Sequence, residues 1–346
     1  MSAPLLIRSH DEAELVDCAS DWPDYLELAD LTADTLRQVT LREGIDFTTA
    51  LLYDRIRRSK AHGPLIQRLE VYAKSQKEEF NSFGERGRVN ALREIQCDVK
   101  IVIVPGAFYV EAPQSGADGR QVIEEARRLG FRTARIPIPG FGSLQDNSYL
   151  ILDWLDKRAD ERVVLVSLSK GGADVKIALA QKDASSAFRN VLGWIDLSGI
   201  LHGTPLADWL LSRKLRSLFL RPVFWFRGHS FNVIEELSQR IGAPLRRRAI
   251  LPKHLKAIHV VGFPLRRHLS NALMRRGHRR LTPFGPNDGV MALADVCTFP
   301  GAVYPVWGAD HYLRSRHADL PGLFARIMHY IAEEILAAPA AAEPIP

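Results

Sequence analysis

Ser169 lies in the run Val163-Val164-Leu165-Val166-Ser167-Leu168-Ser169-Lys170-Gly171-Gly172, with the small residues Ser167 and Gly171 at positions −2 and +2. That spacing suits a nucleophile elbow. The strand-to-helix turn is so sharp that larger flanking side chains would collide with the neighbouring strand and helix, and it lifts the central hydroxyl clear of the sheet edge. A serine hydroxyl is a weak nucleophile near neutral pH. It needs a histidine within hydrogen-bond reach to take its proton, and a carboxylate to fix that histidine's tautomer. On an elbow these partners follow in the order Ser, acid, His, on loops after later strands.

Two residues fall where that order demands. Asp288 lies in the turn-rich Gly285-Pro286-Asn287-Asp288-Gly289, and His311 in Trp307-Gly308-Ala309-Asp310-His311, after the last strand pattern. His202 competes as the base and Asp295 as the acid. Asp196 falls inside a strand, Asp310 adjoins His311, and Asp174, about one turn past Ser169, reads as structural. The same chemistry requires backbone N–H groups aimed at the developing oxyanion. The Lys170 amide, at a helix start, is one donor. The other is the amide of Ala107 or Phe108, in Pro105-Gly106-Ala107-Phe108-Tyr109, where Gly106 lets the backbone bend towards the site.

The elements that position these residues begin near Val99, where strands start to alternate with helices, the sign of a mainly parallel sheet with helical crossovers. Strands are expected at 100–104, 131–138, 163–166, 191–198, 259–263 and 303–307. Helices are expected at 119–129, 149–157, from 172 onwards and at 320–336, with an Arg-rich excursion between the fifth strand and Asp288. Residues 1–96 read as an N-terminal helical extension, with helical spacing over 46–57 and 65–74. The main domain spans 97–336, and 337–346, rich in Ala and Pro, reads as a disordered tail.

The 346 residues have the apolar, charged and Gly/Pro fractions of a globular protein. No apolar run approaches the ~18 residues of a membrane span, and the start is too short and too soon charged for a signal peptide. Three scattered cysteines without a Cys-x-x-Cys pair fit a reducing, cytoplasmic setting and no metal site. Charge is uneven. Between Leu211 and Arg280 seventeen Arg or Lys face only Glu235 and Glu236, a local +15 within a chain of net +6. Because aromatic residues are interleaved (Trp209, Phe219, Phe224, Trp225, Phe226), the stretch suits peripheral contact with an anionic membrane surface, an acyl carrier or an anionic acyl substrate. A solvated basic face or an acidic partner are the plainer alternatives, and no nucleic-acid recognition motif accompanies the charge.

From about Val99 to Leu336 the chain resembles the α/β-hydrolase superfamily, lipase/esterase-like branch. The resemblance rests on Ser169-Lys170-Gly171-Gly172-Ala173-Asp174, Pro105-Gly106-Ala107-Phe108, Asn287-Asp288-Gly289-Val290 and Gly308-Ala309-Asp310-His311. The departures are Ser167 where Gly is usual and Pro105 where His is usual. The resemblance implies an α/β-hydrolase fold with Ser169 as nucleophile, Asp288 as acid and His311 as base, acting on a carboxylic ester or thioester through an acyl-enzyme without metal or cofactor. Residues of about 206–252 are expected as a helical cap. A thioesterase or acyltransferase on the same triad is the alternative, as is a non-catalytic scaffold whose basic cap binds a partner or membrane.

Overall fold

A computed structural model describes residues 10–22, 27–79, 92, 94–96, 98–212, 221–222, 231–314 and 319–337. Four helices come first: α1 (His10–Ser20), α2 (Ala33–Glu43), α3 (Ile45–Arg58) and α4 (Gly63–Glu79). Then strands and helices alternate: β1 (Val99–Val104), α5 (Arg120–Arg128), β2 (Arg132–Arg135), α6 (Leu144–Asp156), β3 (Arg162–Leu168), α7 (Lys170–Leu179), α8 (Ala184–Ala187) and β4 (Val191–Leu197). After α9 (Pro205–Leu211) and α10 (Asn232–Glu236) come β5 (Lys256–Phe263), α11 (Ala272–Leu281), β6 (Ala302–Trp307) and α12 (Leu320–Ala337). The strands form one sheet in the order β2-β1-β3-β4-β5-β6, every pair parallel.

The apolar runs read as strands because they are buried on both faces, as parallel sheets require. Ile101, Ile103, Val164, Val166, Ile195, Ile258 and Val260 face one side, where Leu69 of α4, Val122 of α5 and Phe324 of α12 cover them. Val102, Val104, Val163, Leu165 and Trp194 face the other, against Ile151 and Leu155 of α6 and Val175 of α7. Farther along that second face, Val261, Phe263, Val303 and Trp307 are covered by Val16, Leu36, Leu51 and Ile56 of the N-terminal helices. These helices therefore complete the layer over β5 and β6.

Several expected boundaries differ. The second strand spans only Arg132–Arg135: the Ile136 amide makes a last hydrogen bond to the Ile103 carbonyl (2.9 Å), and the chain beyond it lies outside the ladder while Ile136 and Ile138 pack into the core. The Arg-rich excursion folds as α11: Asn271 caps it by accepting from the Leu273 and Met274 amides (2.9 and 3.0 Å), and Met274, His278 and Leu281 form its buried side. Its charges line the outer side, which hid the helical period. In the expected cap, the described residues hold α9, α10 and a 3₁₀ turn at Pro244–Arg246. Residues 213–220 and 223–230, which carry much of the basic–aromatic run, and 338–346 of the expected tail lie outside the described residues.

One buried acid fastens the N-terminal helices to the sheet. Glu12 of α1 accepts from Trp307 Nε1 at the end of β6 (2.9 Å), lies 2.9 Å from His268 Nε2 and pairs with Arg267 (2.6 Å). Burial alone would raise its pKa, but the hydrogen bonds from Trp307 and His268 and the charges of His268 and Arg267 outweigh it and hold the carboxyl below the usual Glu range. Replacing Glu12 by Ala strands the buried indole N–H, and we expect a loss of about 2–3 kcal/mol in denaturant unfolding at pH 7. A depressed carboxyl stabilises the fold above the unfolded-state pKa and loses that contribution as pH falls through the folded-state value. The difference between parent and Glu12→Ala should therefore shrink in acid; a difference that is absent at pH 7, or that grows as pH falls, would show that Glu12 does not anchor the helices.

Candidate active site

The turn between β3 and α7 sets Ser169 at φ 51°, ψ −115°, a conformation that side-chain-bearing residues rarely adopt. Three backbone hydrogen bonds hold it there. The Ser169 N–H donates to Leu197 O (3.0 Å), and its carbonyl accepts from the Gly172 and Ile200 amides (3.0 and 3.1 Å). Position +2 has no room for a side chain, since a Cβ on Gly171 would collide with the carbonyl oxygens of Val104 and Pro105. Among the described residues, the other non-glycine residues with positive φ are Phe108, Ser198 and Leu313. They follow β1, β4 and His311, so backbone strain gathers along the C-terminal edge of the sheet.

At that edge the structure brings Ser169, Asp288 and His311 together. His311 Nε2 lies 2.9 Å from Ser169 Oγ, and Nδ1 lies 2.7 Å from Asp288 Oδ2. With the Nδ1 proton donated to the carboxylate, Nε2 presents its lone pair to the serine hydroxyl. Asp288 is wholly buried, yet its other oxygen is satisfied by the Val290 and Met291 amides, both at 2.8 Å. The two loops are also stitched together directly, because the His311 N–H donates to the Asp288 carbonyl (2.9 Å). Asn287 Nδ2 reaches back to the His278 carbonyl of α11 (3.4 Å).

The competing residues lie elsewhere. Asp310 accepts from the Ser270 and Tyr312 amides (2.8 and 3.1 Å), so it shapes the loop beside His311. Asp295 and His202 line a separate cavity. Burial, with the charges of Lys176 and His259, pushes the His202 pKa down to about 3, so it is neutral near pH 7. Asp174 receives Lys170 Nζ on both oxygens (2.8 and 3.0 Å) and Asn147 Nδ2 (3.1 Å). Burial raises its carboxyl to about 6 against the pull of the lysine. The Lys170 side chain is thus spent on a buried ion pair, while its backbone N–H, at the start of α7, is engaged by no protein carbonyl among the described residues. The Ala107 and Phe108 amides are likewise unengaged there. Their loop is close: the Cβ position of Gly106 lies 3.4 Å from Ser169 Cβ.

Sequence reasoning missed what fills position −2. The Ser167 hydroxyl accepts from Trp194 Nε1 (2.8 Å) and donates to Asp196 Oδ1 (2.6 Å). Asp196 Oδ2 faces His259 Nδ1 (3.3 Å), and His259 Nε2 donates to Pro300 O (3.0 Å). This buried polar chain runs across β3, β4 and β5 directly under the turn. The only signal in the sequence was the serine standing where glycine is usual.

Comparison with known proteins adds to this geometry. No protein-family model matches the chain, and no curated protein does. Among solved structures, it is similar to the metagenomic carboxyl esterase MGS0156, with 19% sequence identity and a TM-score of 0.55 over 68% of this chain and 76% of that one. It is also similar to the mature form of lipase BlEst2 from Bacillus licheniformis, with 22% identity and a TM-score of 0.50 over 66% of this chain and 91% of that one. At such identities the likeness speaks to architecture. A fully parallel six-stranded sheet between helical layers, shared with these esterase and lipase structures, gives this chain an α/β-hydrolase fold.

Proposed function

We propose that this chain is a serine hydrolase of carboxylic esters that works through an acyl-enzyme. The observation that carries the reading is the unbroken hydrogen-bonded chain Asp288–His311–Ser169 on a strained turn at the sheet edge. In the first half-reaction His311 Nε2 takes the Ser169 proton as Oγ bonds to the ester carbonyl carbon. The carbonyl oxygen becomes an oxyanion, for which the amides of Lys170 and of Ala107 or Phe108 are the donors. The tetrahedral adduct collapses, the alkoxy oxygen takes the proton from His311 and leaves as the alcohol, and the acyl group remains on Ser169. Water then repeats the sequence: His311 removes its proton, the hydroxide adds to the acyl carbon, and Ser169 departs with that proton as the carboxylic acid is released. Asp288 holds the imidazole tautomer and stabilises the imidazolium in both halves.

The surroundings favour an ester with an apolar acyl part. Phe108 is 46% exposed beside the site and packs edge-on against Phe141 (ring centroids 4.3 Å), and Val110 is 67% exposed on the same loop. Ala207 of α9 and Val233 of α10 pack with Phe141 and, at its margin, with Ala107 and Val290 of the site loops. The described part of the segment expected as a cap therefore adjoins the reaction centre.

Three substitutions test the assignment on a short-chain aryl ester. Ser169→Ala should abolish turnover without altering the circular dichroism spectrum or unfolding midpoint. His311→Ala should lower kcat about as severely, since triad members act as a unit. Asp288→Asn should lower kcat by up to ~10⁴-fold by presenting the wrong tautomer. Parent-like turnover in any one of the three, with the fold intact, would contradict the role given to that residue.

A further inference from the structure

A second concavity shares no lining residue with the triad. It is a cavity of about 410 Å³ between α7, the 3₁₀ turn at Pro244–Arg246 with the residues that follow, and the segment leading into β6. Its cations are Lys176, Arg246, Arg247 and Arg248, against the single carboxylate of Asp295. Its apolar wall is made by Leu245, Ala249 and Phe299, all buried. The volume falls in the range of small-molecule sites.

Some cations of the basic stretch are paired, but, among the described residues, those of this cavity are not. Arg221 pairs with Glu235, Arg240 with Asp208, Lys256 with Glu334 and Arg267 with Glu12. Within the described residues, no ion pair within 4.0 Å involves Arg246, Arg247, Arg248 or Lys176; Arg246 donates only to Gln239 O, at 3.4 Å. Lys176 is 4% exposed and is held by the Leu201 and Leu245 carbonyls (2.6 and 2.7 Å), with its Nζ 5.5 Å from the centre of the Phe299 ring. An ammonium has three donors, so this geometry leaves one without a protein acceptor among the described residues.

We propose that this cavity is a second binding site, distinct from the ester-cleaving centre, for an organic phosphate ester. Its phosphate lies against Arg246, Arg247, Arg248 and Lys176, and its organic part against Phe299 and Leu245. Guanidinium groups match phosphate oxygens bidentately, and four cations against one carboxylate favour a dianion over a carboxylate ligand. Burial pulls the Lys176 pKa down to about 8, a drop that Asp295 opposes. His202 is neutral, and the charge of Arg246 acts on Asp295 together with that of Lys176. An anion bound beside the ammonium stabilises its charged form, so affinity should fall as pH rises through 8.

Direct binding tests this apart from ester turnover. Calorimetric titration of the full chain with inorganic pyrophosphate at pH 7 should give one site per chain. That site should be unchanged in Ser169→Ala, and weakened tenfold or more in the exposed double variant Arg247→Gln/Arg248→Gln. Binding should also weaken severalfold between pH 7 and pH 9. Co-sedimentation with phosphatidylglycerol and phosphatidylcholine vesicles separates the sources of the phosphate. Retention on the anionic vesicles that the double variant loses identifies a lipid headgroup, whereas pyrophosphate binding without retention identifies a free phosphate ester. No binding at millimolar pyrophosphate, or equal binding by a correctly folded double variant, would overturn the proposal.

Discussion

A backbone at φ 51°, ψ −115° is sustained only when its neighbours leave it no alternative, and the turn at Ser169 is held in that way. Releasing one residue from such strain is worth on the order of 1–3 kcal/mol, so the turn must be fixed from several sides. The Leu197 carbonyl and the Ile200 amide grip it from the β4 edge, and the Gly172 amide grips it from α7. Beneath it, Ser167 is locked between Trp194 and Asp196. The hydroxyl of Ser169 is thereby presented at a fixed point, the condition under which two distant loops can be aimed at it.

Those loops are aimed by packing. The His311 loop crosses close over β5, where a side chain at Gly262 would collide with the Ala309 and Asp310 carbonyls. The Asp288 loop is braced by α11 and tied to the His311 amide. Glu12 fixes Trp307, four residues before His311, to the N-terminal helices. A segment that carries none of the three proposed residues is therefore tied to the strand that leads to His311.

Ser169, Asp288 and His311 stood out as candidates in the sequence because each lies in a segment rich in turn-forming residues, and because they follow one another in the order that the partners of an elbow serine take. The polar chain under the turn was not legible. Ser167, Asp196 and His259 lie far apart in sequence and meet only through strand register, which pairs Ser167 with Asp196 and Asp196 with His259 across three adjacent strands. Without that register Asp196 reads as a misplaced strand acid. Likewise α11 hid behind its arginines, and its apolar side of Met274, His278 and Leu281 is recognisable once the Asn271 cap is seen. The second cavity could not be anticipated either, since α7, residues 245–249 and residues 295–300 converge only in the folded chain.

Covalent capture distinguishes Ser169 as the proposed nucleophile from every other hydroxyl of the chain. The folded chain would be reacted with a fluorophosphonate, cleaved with trypsin and sequenced by mass spectrometry. Cleavage after Arg162 and Lys170 releases the peptide Val163–Lys170, which contains both Ser167 and Ser169, so fragment ions distinguish the two hydroxyls. One phosphonyl group per chain, on Ser169, is expected. A group on Ser167, a group elsewhere in the chain, or no modification of the folded protein would contradict that assignment.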